Sequence, residues 1–267
     1  MGLAYATAGE RGTPVLLIMG FLAPGGAWGE QIPALRVHHR VAWYDHRGLG
    51  RTESPPGVWT IGTFAGDAVR LMDHLGWDQA HVVGVSMGGM IAQQIALGHR
   101  DRLRSLTLIT THNGSPRARV PTAEGAMRFV LANATPKRRR LSHLMRLLFP
   151  PEHLAKTDVA ELKRSLQASF GGRISRRTRL GHLSVVATHR AGRRLRRLTG
   201  LPTLIVKAGR DVLVPPRESD RLHRHIPGST LLDLTESGHG CLSQCTEEVN
   251  AALLAHFEAA DGAGPLR

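Results

Sequence analysis

A serine flanked by glycines offers the clearest chemistry in the sequence. Ser86 stands in the stretch Gly84-Val85-Ser86-Met87-Gly88, which follows an apolar run and precedes a helical pattern. A sharp turn from a strand into a helix needs small neighbours on both sides of the serine, and it projects the hydroxyl above the sheet edge. The N-terminus of the following helix favours negative charge at that place. We therefore predict that Ser86 is a nucleophile, the alternative being a serine that only caps the helix.

A serine nucleophile needs a base, and the base needs an acid that fixes its tautomer. Asp211 directly follows the apolar run Pro202–Ala208, and His239 lies between two glycines shortly after the next run, Ser229–Leu234. Because the carboxyl ends of parallel strands meet at one sheet edge, both side chains should lie near Ser86. The chain order serine, aspartate, histidine is that of one known class of catalytic triad. We predict that His239 is the base and Asp211 the acid that orients it.

Acyl transfer also requires backbone amides that stabilise the oxyanion of the tetrahedral intermediate. One amide should belong to Met87, the residue after the nucleophile, and the other to the loop that follows the strand Pro14–Gly20. Phe21 is the best candidate in this loop, where glycines at positions 20, 25 and 26 permit close approach of a substrate. This chemistry needs neither a metal nor an organic cofactor, and we predict none.

Alternating strand and helix patterns must position these groups. Short apolar runs separated by helical segments predict an α/β fold with a mostly parallel sheet flanked by helices. The alternation stops after Thr110 and resumes at Pro202. We therefore predict a core of residues 1–112 and 201–267, with residues 113–200 inserted as a helical, arginine-rich cap. The predicted strands are Leu3–Ala8, Pro14–Gly20, Arg40–Asp45, Ala80–Val85, Arg104–Thr110, Pro202–Ala208 and Ser229–Leu234, and the predicted core helices are Thr63–Leu75, Met87–Leu97 and Val249–Phe257.

The inserted segment carries the whole excess of positive charge. Residues 113–200 contain 20 Lys and Arg against 4 Asp and Glu, whereas the formal net charge of the chain is +14. The segment could attract anionic substrates, or it could dock on an anionic membrane surface through Pro136–Phe149, where apolar residues recur at helical spacing beside arginines. The simplest interpretation is a solvated outer face whose apolar stripe covers the active site. Nucleic acid is not an expected partner, because no recognised binding motif accompanies the charge.

The remaining composition is typical of a globular chain. Hydrophobic residues make up 42% of the sequence and charged residues 21%, and no apolar run approaches the length of a membrane span. The first residues do not have the pattern of a secretion signal. Two cysteines, Cys241 and Cys245, cannot form a disulfide framework, and we expect both to be reduced thiols. We expect a cytoplasmic protein; its oligomeric state stays open.

The ordered set of motifs resembles the α/β-hydrolase superfamily. Besides the serine, aspartate and histidine motifs, it includes Leu17-Ile18-Met19-Gly20-Phe21 and Tyr44-Asp45-His46-Arg47-Gly48-Leu49-Gly50. The stretch from Gly84 through Gln93 is similar to that of bacterial carboxylesterases of the aclacinomycin methylesterase type and of 3-oxoadipate enol-lactonases. Many relatives carry His-Gly where this chain has Met19-Gly20, and an opening strand of relatives is expected to be missing before Leu3–Ala8.

This resemblance implies an α/β-hydrolase fold with a helical cap and the activity of a serine esterase. The substrate is then a small-molecule ester, which carries an anionic group if the basic segment attracts it. Enol-lactonase, carbon–carbon bond hydrolase and cofactor-free perhydrolase activities on the same triad are the alternatives. A non-hydrolytic small-molecule receptor is a further alternative from another class.

Overall fold

A seven-stranded sheet runs through the protein. The computed structural model of the chain describes residues 2–116, 121–135, 137–170 and 172–263. The sheet order is β1-β3-β2-β4-β5-β6-β7, and all neighbouring pairs are parallel except β1 with β3. The predicted α/β class with a mostly parallel sheet is therefore confirmed. The strands are β1 Tyr5–Ala8, β2 Pro14–Ile18, β3 Arg40–Tyr44, β4 Ala80–Val85, β5 Leu103–Ile109, β6 Thr203–Ala208 and β7 Thr230–Leu234.

The central strands are buried on both faces, which explains their nearly continuous apolar sequences. Every residue of β2 and β4 is buried. Successive side chains of a strand point to opposite faces, so Leu16 and Ile18 join one core cluster while Val15 and Leu17 join the other. Each face of the sheet consequently supports its own layer of helices.

The two helical layers differ in size. Helices α2 (Ile61–His74), α3 (Met87–Gly98) and α9 (Arg217–His225) contribute side chains to the first cluster. Helices α1 (Ile32–Leu35), α10 (Cys241–Gln244) and α11 (Thr246–Gly262) contribute to the second. Within the described ranges, no helix is long and apolar enough to cross a lipid bilayer.

Among the described residues, five α-helices lie between β5 and β6, in the segment for which the sequence predicts a cap. They are α4 Ala123–Ala134, α5 Lys137–Leu148, α6 Pro151–Leu154, α7 Val159–Phe170 and α8 Arg176–Thr188. Met145, Phe149 and Leu166 form a small core of their own there. Of the apolar stripe predicted on α5, Met145 is buried in this core, and Leu141 and Leu148 pack against it as partly buried residues. The limits at residues 113 and 200, and a role as a cap, stay predictions.

Several element ends differ from the sequence-based expectation for identifiable reasons. Helix α2 begins at Ile61 because Thr60 caps it: the Thr60 hydroxyl accepts from the Thr63 amide, and the Thr63 hydroxyl accepts from the Thr60 amide.

The sequence does not predict the polar helix α9, since Leu222 is its only buried apolar residue. A single apolar side chain leaves no periodicity to detect.

Two glycines of helix α3 provide a matched test of packing. A β-carbon at Gly88 would overlap the backbone carbonyl of Ile18 at the end of β2, whereas one at Gly98 would meet no atom within 4 Å. We expect Gly88→Ala to lower the free energy of unfolding by about 3 kcal/mol or more, because neither backbone segment can yield. Gly98→Ala should change it by about 1 kcal/mol at most, in the stabilising direction. Urea unfolding of both variants measures this; equal losses would contradict it.

Candidate active site

Ser86 occupies the turn between β4 and α3. Its φ and ψ angles are 55° and −119°, a conformation that side-chain-bearing residues rarely adopt. The Ser86 amide donates to the carbonyl of Ile109 at 2.9 Å, and the Thr111 hydroxyl donates to the Ser86 carbonyl at 2.7 Å. These bonds to the end of β5 and the residues after it hold the strained turn in place.

Glycines are required near Ser86 because neighbouring backbone segments approach these positions closely. A β-carbon at Gly84 would overlap the carbonyl of Gly88, and one at Gly20 would lie 3.2 Å from the Ser86 β-carbon and 3.8 Å from its Oγ. The loop that follows β2 therefore passes directly beside the Ser86 hydroxyl.

The structure brings Asp211 and His239 into direct contact. Asp211 follows β6 and His239 follows β7, and the Nδ1 of His239 lies 2.6 Å from Oδ2 of Asp211. The other carboxylate oxygen accepts hydrogen bonds from the amides of Leu213 at 2.8 Å and Val214 at 2.9 Å. Both side chains are buried. A hydrogen bond from Nδ1–H to the carboxylate fixes the imidazole tautomer and leaves Nε2 as the basic nitrogen.

Ser86 and His239 line the same cavity, which has a volume of about 250 Å³. Cavities that bury drug-sized ligands are larger, roughly 300–1,000 Å³, so this one suits a small molecule. Its walls are mainly apolar and come from the loop after β2, from α4, α5 and α7, and from the loops around His239. The apolar side chains among them include Phe21, Leu22, Phe129, Leu144, Leu147, Leu148, Phe149, Leu166, Leu213 and Leu242.

The two residues whose amides are predicted to form the oxyanion hole lie next to Ser86, one in the sequence and one in the neighbouring loop. Met87 is the first residue of α3, so its amide has no acceptor within the helix. Phe21 follows Gly20 in the loop beside the serine, and its side chain lines the cavity. Neither amide donates a hydrogen bond to any other residue in the described part of the chain. Phe21 lines the cavity whereas Met87 is fully buried, and the role of the two amides as oxyanion donors stays a prediction.

Two buried histidines, for which the sequence predicts no role, form hydrogen bonds to the backbone of the loop after β2. The Nε2 of His46 lies 2.8 Å from the carbonyl oxygen of Met19, and Nδ1 of His182 lies 3.4 Å from the amide of Leu22. The Nε2 of His182 also lies 3.1 Å from the carbonyl of Arg47. His182 therefore accepts at Nδ1 and donates at Nε2, while His46 donates at Nε2.

The hydrogen bond that His182 accepts at Nδ1 requires a neutral imidazole. Burial lowers the pKa of His46 to about 4 and that of His182 to about 3. Near neutral pH both rings are uncharged, so Nδ1 of His182 keeps the lone pair that accepts from Leu22.

An ion pair holds the turn after β3, because Arg47 binds the buried Asp67 of α2 through two nitrogens. Oδ1 of Asp45 accepts a hydrogen bond from the amide of Gly25 at 2.8 Å, which is a structural role.

The depressed pKa values predict acid destabilisation. A histidine whose pKa is lower in the folded state binds its proton more readily when unfolded. Stability is therefore fully present above about pH 6.5 and falls below it, by up to about 1.4 kcal/mol per pH unit for each histidine. We expect His182→Gln to reduce this slope between pH 6.5 and pH 4.5. The exposed His38 supplies the control, and urea unfolding is the measurement. The account fails if His38→Gln reduces the slope as much as His182→Gln does.

Comparison with known proteins gives the relationship of the chain. A family model described as alpha/beta hydrolase fold matches residues 13–242. A protein of Azorhizobium caulinodans named "Putative carbamate hydrolase RutD" is 32% identical over 248 residues, which cover 91% of this chain and 90% of that protein.

Solved structures agree with this relationship. A thermophilic esterase from Thermogutta terrifontis, solved with malate bound, is 26% identical with a TM-score of 0.78, covering 97% of this chain and 93% of that one. The enol-lactonase of Burkholderia xenovorans LB400 is 23% identical with a TM-score of 0.82, covering 96% of each chain, and shares the fold. As its motifs indicate, the chain belongs to the α/β-hydrolase family and is a hydrolase.

Proposed function

We propose that the protein is a serine hydrolase that cleaves small carboxylic esters through an acyl-enzyme on Ser86. The observation that carries the proposal is the pairing of Asp211 with His239 at 2.6 Å, on the wall of the cavity that Ser86 also lines. A buried carboxylate that fixes a histidine tautomer near a serine in a strained turn is the arrangement that acyl transfer requires.

The reaction follows from these positions. His239 takes the Ser86 proton at Nε2 while Oγ attacks the ester carbonyl carbon, and the resulting oxyanion accepts hydrogen bonds from the amides of Phe21 and Met87. The intermediate collapses as His239 transfers the proton to the leaving alcohol, which leaves an ester on Ser86. A water molecule then repeats the sequence, with His239 as base, and releases the acid.

The cavity supports a short and largely apolar substrate. A volume of about 250 Å³ leaves little space beyond the reacting ester and a short chain on either side. Phe21, Phe129 and Phe149 lie on its walls, so desolvation of alkyl groups would contribute to binding.

Turnover of p-nitrophenyl esters tests the proposal. We expect hydrolysis of the acetate and butyrate esters, and a weaker reaction with the octanoate because the cavity is small. Ser86→Ala should lower kcat by about 10⁴-fold or more, and Asp211→Asn by about 10³- to 10⁴-fold because the imidazole loses its fixed tautomer. The exposed Ser54, converted to alanine, is the matched control and should keep wild-type rates. Equal turnover by Ser86→Ala would remove Ser86 from the mechanism.

Carbamate hydrolysis is the second candidate, favoured by the name of the relatives that are about one third identical. A carbamate carbonyl accepts the same serine attack, although the adjacent nitrogen makes the carbon less electrophilic. A p-nitrophenyl carbamate of the same size as the best ester separates the two. A higher kcat/KM for the carbamate would favour it over the ester.

A further inference from the structure

One arginine of the inserted helices reaches the cavity that holds Ser86 and His239. Arg140 lies in the first turns of α5, is partly buried, and lines this cavity together with Leu144 and Leu148 of the same helix. The neighbouring Arg139 is exposed and does not line the cavity. Of these two adjacent cations, the helix therefore directs one to the candidate active site and the other to solvent.

Arg140 has no carboxylate partner within the described residues. Neither it nor Arg179 is among the described arginines that form ion pairs, which are Arg47, Arg70, Arg102, Arg104, Arg128, Arg210, Arg217 and Arg221. The acidic residue on the cavity lining, Glu30, is exposed to solvent and does not pair with Arg140.

A second guanidinium increases the positive potential at this place. Nη1 of Arg179, on α8, donates to Oδ1 of Asn133 at 2.8 Å, and Asn133 itself lines the cavity. Burial, and then the charge of Arg179, lower the pKa of Arg140. Two like charges near each other, one of them partly desolvated, are stabilised when an anion binds between or beside them.

A carboxylate is the anion that fits this site. A guanidinium presents parallel N–H groups that match the two oxygens of a planar carboxylate. The cavity is small and mainly apolar beyond the arginine, which suits a short chain that links a carboxylate to the reacting ester. A phosphate, which is bulkier and more strongly hydrated, suits it less.

We propose that Arg140, supported by Arg179, forms a carboxylate-binding subsite, so that the preferred substrate is a short ester that carries a carboxylate at its other end. This inference rests on the function proposed above and specifies its substrate class. The basic inserted segment would then act on substrate choice through these two residues, and the other arginines would contribute only long-range attraction.

A pair of esters of equal chain length tests the subsite by kinetics. p-Nitrophenyl hemisuccinate and p-nitrophenyl butyrate have the same reacting group, and only the first carries a carboxylate. In Arg140→Gln we expect the ratio of kcat/KM for hemisuccinate to that for butyrate to fall about tenfold or more. A fall of this size corresponds to the loss of one hydrogen bond to a charged group. Arg139→Gln removes the same charge outside the cavity and should keep the ratio within about twofold of wild type. Equal falls in both variants, or no fall in either, would overturn the proposal.

A binding measurement decides the subsite even if neither ester is cleaved. Monomethyl succinate and inorganic phosphate are titrated calorimetrically into Ser86→Ala protein, with and without Arg140→Gln. Binding of monomethyl succinate that weakens about tenfold or more with the second substitution supports the subsite. Binding unaffected by Arg140→Gln, or phosphate binding tighter than that of monomethyl succinate, contradicts it. Absent ester turnover together with intact carboxylate binding would reject the proposed reaction and retain the subsite.

Discussion

The backbone approaches around Ser86 are the constraint on which the rest of the site depends. The turn after β4, the loop after β2 and the end of β5 meet there, and a β-carbon at Gly20, Gly84 or Gly88 would press on or overlap a neighbouring segment. Such close contact is possible only where one side is glycine, so the positions of helix α3, the loop and the strand are fixed together. The strained φ of Ser86 persists because hydrogen bonds to Ile109 and Thr111 hold both of its peptide groups. The hydroxyl, the two candidate oxyanion amides and the cavity wall are all positioned by this single contact region.

The inserted helices form hydrogen bonds with the loops that carry candidate catalytic groups. The amide of Gly240, next to His239, donates to the carbonyl of Leu148 at the end of α5, and His182 of α8 accepts from the loop after β2. Both loops that carry candidate catalytic groups are thus bonded to inserted helices. Helix α5 also supplies apolar cavity walls and Arg140, so the segment with the excess charge contributes directly to the cavity. Its apolar stripe is used for packing, and contact of this helix with a membrane surface stays an untested prediction.

The fold and the placement of Ser86, Asp211 and His239 could be predicted because both depend on local pattern. Strands buried on both faces are recognisable runs, and residues that follow parallel strands must meet at one sheet edge. The role of His182 could not be predicted, since it contacts Leu22 across 160 positions of the chain and lies in a helix with no local signature. The position of Arg140 at the cavity could not be predicted either, since it lies in a run of basic residues. Which of them faces the cavity depends on the orientation of α5 about its own axis relative to its neighbours. Packing determines that rotation, and only the structure shows it.

Covalent labelling tests the central claim, that Ser86 is activated by the Asp211–His239 pair. The protein is treated with a fluorophosphonate, which reacts with activated serines, and the adduct is located by peptide mass spectrometry. The account predicts a single adduct on Ser86 in the wild-type protein, and labelling slower by about 10³-fold or more in His239→Ala, in line with the effect of losing a triad base. A predominant adduct at another residue, or labelling of Ser86 at the same rate without His239, would contradict it.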